Sequence, residues 1–369
     1  MHLTIRFGDV KMLSDLEEAS RLSEMYDIPT EDIMLMDMNS VGARSSLPND
    51  RVRFFMKLHT FPEYFYFALP LNQAPSQFSL SAEKSKVLFN NQPIGDVIGL
   101  ENDDCTHSYF RRNGTALTLN SNARSLCRGC AFCGTYSLEA DDHEVLKTKN
   151  NLTTGLRKII KGQGMEDMSK IHELGIVTGC FNSEDAAVQH LILVNEAAQE
   201  IGFSGELKYV GCEVKTEESL DKIKDSIPSF GYSLTVECFT RREELMKPLK
   251  FQVTLEKGRK ILDAANRRGF QTTFLYILGL DPLEVIDTEF RNYVPHLTRF
   301  PVINLLQPYK QEQNMLRTPE AWNIEYFLKA RKVVEGIFGP SGLRPRPWEN
   351  YRSAWYLKFG GEDIHDIRI

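Results

Sequence analysis

The sequence predicts an α/β fold in which a helix-covered parallel β-sheet follows a small α+β region. From about residue 114, apolar segments with strand character alternate with helical segments, a rhythm typical of a parallel sheet. Six such strands can form a partial (β/α)6 barrel or an open doubly wound sheet. In either arrangement, we expect the functional groups at the carboxyl ends of the strands.

The first 112 residues mix helix and strand patterns and form the predicted α+β region. Apolar residues recur at roughly helical spacing between residues 13 and 26, which predicts a helix. Segments 32–39, 51–59 and 64–70 predict strands, and segment 86–100 predicts two strands that meet at a turn. Because this region precedes the parallel sheet, we expect it to cover the site and recognise the substrate.

Residues 113–312 carry the predicted partial barrel, and residues 313–369 a C-terminal helix and tail. The six predicted strands are 115–122, 171–180, 206–214, 232–240, 270–280 and 302–310. Ser183 and Thr216 are predicted N-caps of the helices that follow two of them. Gly269 stops the helix 254–268, and Thr318-Pro319 predicts the start of a helix that runs to about Phe338.

The overall composition excludes several broad classes of protein. The chain has 369 residues, of which 42% are hydrophobic and 25% charged, which is ordinary for a globular protein. A net charge of −6 disfavours nucleic acid as a partner, because phosphate neutralisation needs clustered cations. No window approaches the roughly 20 apolar residues of a membrane span, and the first residues lack a signal-peptide core, so we expect a cytoplasmic protein.

Three of the seven cysteines, Cys127, Cys130 and Cys133, lie within one short loop. Thiolates favour zinc or iron–sulfur clusters, and three ligands match a 4Fe–4S cluster with one iron that no protein residue binds. Zinc, as in a zinc-stapled, non-catalytic α/β binding protein, needs a fourth ligand, which Cys105 or His107 can supply. Three unligated buried thiols are a third alternative, against which the tight spacing, the glycines and the preceding strand all count.

The cysteine loop resembles that of the radical S-adenosylmethionine (SAM) superfamily. The usual loop of that family has three cysteines spaced C-x3-C-x-aromatic-C, directly after the first strand of a partial barrel. Phe132 stands in the aromatic position, where the resemblance makes it a candidate for binding the cofactor, and the loop follows the strand 115–122. The first gap here is two residues instead of three. The resemblance spans roughly residues 114–310 and favours the partial barrel over the doubly wound sheet.

This resemblance implies an enzyme with two cofactors, the 4Fe–4S cluster and SAM. The open iron would bind SAM, and reductive cleavage would give a 5′-deoxyadenosyl radical that takes hydrogen from a small-molecule substrate. Epimerisation, dehydrogenation, rearrangement and sulfur insertion all begin with this step. The electron would come from a donor such as flavodoxin or ferredoxin. Transfer of a methylthio group to RNA is disfavoured by the acidic charge.

Several residues at strand ends are candidates for binding SAM. Thr178-Gly179 ends its strand where the family often has the glycine-rich turn that meets the SAM amino group. Glu237 occupies the place of a polar residue near the ribose. Gly279 belongs to an apolar-glycine segment similar to the one that the family packs near the adenine. Gln307, at the end of the last strand, can contact SAM or substrate.

Cys180, Cys212 and Cys238 each lie near the end of a separate predicted strand. They can bind a second cluster, donate hydrogen to a substrate radical, or pack as small apolar side chains in the core. Cys212 and Cys238 are the preferred catalytic candidates, because each adjoins a glutamate.

The C-terminal segment 343–356 combines arginines with tryptophans. It can be a lid that faces an anionic small molecule, or ordinary surface packing. Its arginines and tryptophans are Arg344, Arg346, Trp348, Arg352 and Trp355.

Overall fold

The computed structural model describes residues 12–103, 107–121, 127, 129–136 and 148–368. Two helices and a five-stranded antiparallel sheet come first, and a seven-stranded sheet follows. None of the helices in these ranges combines the length and the apolar character needed to cross a bilayer.

The antiparallel sheet has the strand order β2-β1-β5-β4-β3. Its strands are β1 (Arg51–Leu58), β2 (Tyr64–Pro70), β3 (Phe78–Leu80), β4 (Lys86–Phe89) and β5 (Gln92–Asn102). The preceding helices are α1 (Leu16–Tyr26) and α2 (Thr30–Val41). Asn90 and Asn91 form the turn between β4 and β5 with φ angles of 48° and 66°, a conformation that asparagine tolerates better than most residues.

The second sheet has seven strands, of which the last six are parallel. They are β6 (Tyr109–Arg111), β7 (Ala116–Leu119), β8 (Glu173–Val177), β9 (Glu206–Gly211), β10 (Phe230–Glu237), β11 (Gln271–Leu278) and β12 (Val302–Leu305). The helices between them are α3 (Lys149–Gly162), α4 (Glu184–Gln199), α5 (Glu217–Ser226), α6 (Arg242–Leu245), α7 (Pro248–Phe251), α8 (Leu255–Arg267) and α9 (Leu283–Tyr293). β6 is antiparallel to β7 and pairs with it from before the predicted boundary at residue 113.

The order of the parallel strands distinguishes a partial barrel from a doubly wound sheet. β7 to β12 follow one another across the sheet in sequence order. A doubly wound sheet would reverse its order at a switch point, whereas right-handed crossovers in one direction place every helix on the same face. The sheet curls into a half barrel, so the predicted fold class is confirmed. Ser183 and Thr216 cap α4 and α5 as expected.

The segment 32–39 is part of helix α2, so the prediction of a strand there was wrong. The helix is preceded by Pro29 and ends before Gly42, and every residue from Asp32 to Val41 is buried. A helix that is buried all round has no polar face, so its apolar run lacks the helical period that would identify it. Its one buried acid at the start, Asp32, pairs with Arg331 at 2.7 Å.

The C-terminal region begins later as a helix than expected. Pro319–Trp322 forms a single 3-10 turn, and Asn323 caps α10 (Ile324–Phe338) by accepting from the backbone N–H of Glu325. Thr318 instead donates its backbone N–H to Gly279. Short elements complete the chain: 3-10 turns at Val294–His296, Gln311–Leu316, Gly339–Ser341 and Pro347–Glu349, and the hairpin strands Lys358–Phe359 and Glu362–Asp363.

Candidate active site

A cavity lies at the carboxyl ends of the parallel strands, and we call it the strand-end cavity. Five neighbouring strands, β7 to β11, contribute residues from their last few positions or just beyond their ends. These are Asn120, Val177, Thr178, Gly179, Val210, Gly211, Glu213, Thr235, Glu237, Leu275 and Ile277. The cavity therefore lies at the edge of the sheet where a barrel of this kind carries its chemistry.

The three cysteines of the loop after β7 all line this cavity, together with Phe132. The loop is fastened from two other parts of the chain. The backbone N–H of Ala131 donates to the carbonyl of Leu245 at 2.9 Å. The side-chain amide of Gln313 donates to the carbonyls of Ala131 and Cys133, at 2.8 and 3.0 Å. These contacts hold Cys130 and Cys133 against the ends of the strands.

Gly129 lets the shortened gap between the first two cysteines close. Its φ is +78°, and a Cβ there would lie 2.7–2.8 Å from atoms of Thr135 and Tyr136. Any other residue would be strained in conformation and would clash with the backbone, so this position requires glycine. The two-residue gap is therefore accommodated by a tight left-handed turn.

Cys127 is held as a thiolate by its surroundings. Its sulfur accepts hydrogen bonds from the Nζ of Lys247 at 2.9 Å and the backbone N–H of Gly129 at 3.3 Å. A hydrogen bond from Cys180 and the charge of Lys247 lower the pKa of Cys127 to about 4, against the opposing effect of burial. The same hydrogen bond raises the pKa of Cys180, which keeps its proton. The thiolate is the form that binds metal.

The donor set of the cavity fits an iron–sulfur cluster. Three thiols from one loop face one cavity, one of them is ionised, and Lys247 and Lys250 supply positive charge beside them. Within the ranges that the structure describes, no three His, Cys, Asp or Glu side chains converge on one position for a single metal ion. In a cubane cluster each cysteine binds a different iron, so the thiols need not converge.

Of the two candidates for a fourth zinc ligand, only His107 lies in the described part of the chain, and it lines a different pocket from these thiols. His107 lines a separate groove with Tyr109 and Lys158. Cys105 lies outside the described residues.

Glu237 ends β10 in an unusual backbone conformation. Its φ is +66°, and the register between β10 and β11 shifts just before it, which marks a bulge that turns the side chain. The carboxylate is buried and pairs with Lys250. Arg242 fixes the loop that carries Lys250 by donating to the carbonyls of Cys238 and Val253, at 2.6 and 2.9 Å. Glu237 and Lys250 both line the cavity.

The structure brings four of the predicted SAM-binding residues to the cysteines and leaves two elsewhere. Phe132, Thr178, Gly179 and Glu237 line the strand-end cavity. Gly279 has a φ of +119° and packs away from the cavity, where a Cβ would lie 3.2 Å from Leu306.

Gln307 is the second of these residues and is buried between the two sheets. Its Oε1 accepts from Arg51 at 2.6 Å, and its Nε2 donates to Asn39 and the carbonyl of Ala68. Both polar atoms of its side-chain amide thus have partners within the protein.

The three thiols at strand ends do not meet at one point. Cys212 is buried in the main core with its sulfur 3.9 Å from the carbonyl oxygen of Leu249, and burial raises the pKa of Cys212 to about 12. Cys238 packs in an apolar cluster that includes Cys130, and burial raises its pKa as well. Neither lines the cavity, whereas Cys180 contacts Cys127. Their direct participation stays a prediction.

Four further residues of the site were not predicted from the sequence: Lys247, Lys250, Arg242 and Gln313. The first three lie in the segment of short helices after β10, where Arg242 begins α6, Lys247 precedes α7 and Lys250 lies in α7. Gln313 lies in a 3-10 turn after β12. One signal was available, because two lysines three positions apart lie between a strand whose end was expected at the site and the helix 254–268. Gln313 gave no such signal, since a lone glutamine in a polar turn is ordinary.

Comparisons with known proteins find likeness in structure only. No protein-family model and no curated protein matches the sequence. Among solved structures, Streptococcus suis SuiB bound to S-adenosylmethionine is 14% identical with a TM-score of 0.36, covering 53% of this chain and 42% of its own.

Two further structures resemble the chain to a similar degree. One is the radical S-adenosylmethionine methyltransferase TsrM from Kitasatospora setae with cobalamin and a [4Fe-4S] cluster bound. It is 13% identical with a TM-score of 0.37, covering 54% of this chain and 38% of its own. The other is HydG, a maturase of the [FeFe]-hydrogenase. It is 15% identical with a TM-score of 0.43, covering 59% of this chain and 49% of its own. The chain covers less than half the length of each of the three proteins. These values are too low to decide the chemistry, which has to come from the residues of the site.

Proposed function

We propose that this chain is a radical SAM enzyme that acts on a small molecule. The observation that carries the proposal is that Cys127, Cys130 and Cys133 face one cavity at the carboxyl ends of a half barrel's parallel strands. A loop of three cysteines at that place leaves one iron of a cubane cluster without a protein ligand, and that iron is where SAM would bind.

Each cysteine has a defined part in holding the cluster. Cys127 is already ionised beside Lys247, and Cys133 accepts or donates a hydrogen bond at 3.2 Å with Thr135, which orients its sulfur. Cys130 is buried, and burial raises its pKa, so it would lose its proton on binding iron. When bound, the cluster supplies the electron that cleaves SAM and so generates the radical that abstracts hydrogen.

The surrounding residues are suited to bind and shield SAM. Thr178 and Gly179 follow β8 and provide a hydroxyl group and a small residue at the cavity. They lie close to Cys127, because the next residue, Cys180, hydrogen-bonds to Cys127. Lys250 fixes the Glu237 carboxylate, which can accept hydrogen bonds from ribose hydroxyls. Phe132 and Ile277 add apolar surface that excludes water from a reactive radical. Gly279 and Gln307 are left out of this proposal because their surroundings are protein.

Two arms test this function on the full chain. Anaerobically purified protein should be brown and contain about four iron and four sulfide per chain. Incubation with SAM and a strong reductant should then release 5′-deoxyadenosine. An external donor such as flavodoxin or ferredoxin would take the place of the chemical reductant in the cell.

Matched cysteine variants separate the loop from the other thiols. Cys127→Ala should lose most of its iron and form no 5′-deoxyadenosine. Cys212→Ala should keep its iron, because that thiol is buried in the main core and does not line the cavity. A colourless wild-type protein with one zinc, or 5′-deoxyadenosine formation no faster than in Cys127→Ala, would overturn the proposal in favour of a zinc-stapled binding protein or another chemistry.

A further inference from the structure

We infer that the wall of the strand-end cavity formed by Tyr351 and Arg352 binds an anionic group, a carboxylate or a phosphate, of the substrate. This inference rests on the proposed function, because it assigns the substrate class of the same site. Both residues line the cavity with the cysteines. They come from the C-terminal tail, which reaches the barrel where the backbone N–H of Leu305 donates to the carbonyl of Arg352 at 2.8 Å.

The first line of support is the balance of charge behind this wall. Arg51 and Arg53 both donate to the carboxylate of Asp103, at 2.6 and 2.8 Å, and all three side chains are buried. Burial raises the pKa of Asp103, but Arg51 and Arg53 outweigh it and lower that pKa to about 2, with a smaller contribution from Arg352. Among the described residues, two guanidinium groups pair with this one carboxylate and a third, that of Arg352, lies near enough to affect its pKa, so positive charge is in excess there.

The second line of support is a pair of buried donors that lack acceptors. Within the part of the chain that the structure describes, Arg352 Nε and Arg51 Nη1 are buried and have no hydrogen-bond partner. The Arg51 guanidinium stacks on Tyr309 at 4.3 Å, and that ring also lines the cavity. Buried guanidinium groups without enough acceptors are costly, so an anion bound by Arg352 at this wall would offset the excess charge of both arginines.

The other cations of the cavity have partners already. Lys247 donates to Cys127, and Lys250 pairs with Glu237. Arg352 is therefore the cationic side chain among the described lining residues that forms no ion pair within the protein. The remaining arginines of the tail are committed elsewhere, since Arg344 pairs with Glu362 and Arg346 lies 3.6 Å from Glu349. Of the C-terminal segment 343–356, which the sequence suggested as a lid over an anionic molecule, only Tyr351 and Arg352 are therefore assigned to anion binding.

Anion binding to the cluster-loaded full chain tests this inference. The titrations use saturating SAM and no reductant, so that SAM occupies its own site without being cleaved. The probes are inorganic phosphate and succinate, with succinamide as the neutral control, each titrated by calorimetry at constant ionic strength. Arg352→Gln should bind the preferred anion at least about tenfold more weakly, the loss expected for a charge-assisted hydrogen bond. Arg352→Lys, which keeps the charge but not the planar fork, should lose less.

Arg344→Gln is the matched control, an arginine of the same tail that is paired on the surface, and it should bind as the wild type does. Binding of succinate assigns a carboxylate and binding of phosphate assigns a phosphate. Binding of neither anion to the wild type, or equal binding to Arg352→Gln, overturns the inference. The titrations contain no reductant and do not depend on cleavage of SAM. Failure of the separate 5′-deoxyadenosine assay, which does contain reductant, would therefore overturn the proposed function, whereas the titrations alone decide whether this wall binds an anion.

Discussion

At the scale of single residues, Glu237 and Lys250 show how an unfavourable backbone conformation is held in place at the site. A non-glycine residue at a φ of +66° is disfavoured and persists only where its surroundings hold it. Here the ion pair with Lys250 and the clamp of Arg242 on both sides of the loop hold it. Since both charges are largely removed from water, each depends on the other.

Removal of one partner of this pair should therefore cost more than removal of both. We expect Glu237→Gln to lower the free energy of unfolding by about 3 kcal/mol, because it leaves the Lys250 ammonium buried without a counter-charge. The double variant Glu237→Gln/Lys250→Met should recover a large part of that loss. Urea unfolding of the wild type, both single variants and the double variant measures the coupling. Additive losses would show that the pair is not a unit.

At the scale of elements, helix α2 contains a second buried acid whose environment opposes its charge. Burial raises the pKa of Asp37 to about 8, although the backbone N–H of Leu13 donates to its Oδ2 at 3.3 Å. Its Oδ1 has no hydrogen-bond partner within the described ranges. Burial likewise lowers the pKa of Arg317, to about 10. Burial in and around α2 therefore disfavours the charged forms of both Asp37 and Arg317.

A pH dependence of stability follows from Asp37. Aspartate in an unfolded chain ionises near pH 4, whereas in the folded protein it keeps its proton up to about pH 8. Between those values the unfolded state has lost a proton that the folded state retains, so stability should fall as pH rises, by up to about 1.4 kcal/mol per pH unit. Asp37→Asn should remove this slope and be more stable than the wild type at about pH 8. Unfolding curves at several pH values check it, and parallel curves for the two proteins would contradict it.

The sequence predicts an element correctly where the residues of that segment alone determine its secondary structure. The six parallel strands and the caps at Ser183 and Thr216 were predicted because apolar runs and N-cap chemistry are local. Helix α2 was not predicted, because a helix buried on every side lacks the 3.6-residue alternation of apolar and polar residues that identifies a helix. The cysteine loop was likewise predicted from spacing alone. The lysine beside Cys127 comes from a position 120 residues away, and only the folded chain brings the two together.

At the scale of the whole molecule, one buried amide joins the two sheets. Gln307 follows β12 and bonds to Arg51 in β1, Asn39 in α2 and the carbonyl of Ala68 in β2. Arg317 adds a second contact by donating to the carbonyl of Ser40 at 2.6 Å. The antiparallel sheet is thereby fixed beside the cavity, where its Arg51 supports the anion-binding wall.

Gln307 therefore separates a structural role from the cofactor-binding role that the sequence suggested. Gln307→Met keeps the volume of the side chain but leaves the donors of Arg51 and Asn39's oxygen without their partner. We expect a loss of about 3 kcal/mol or more in the free energy of unfolding, because several buried polar groups lose hydrogen bonds together. The affinity for SAM, measured by equilibrium dialysis on the cluster-loaded protein, should stay within about twofold of the wild type, since the amide does not line the cavity. The exposed Gln311→Met serves as the matched control and should change neither quantity. A Gln307→Met protein of wild-type stability with weakened SAM binding would instead restore the role of a SAM contact.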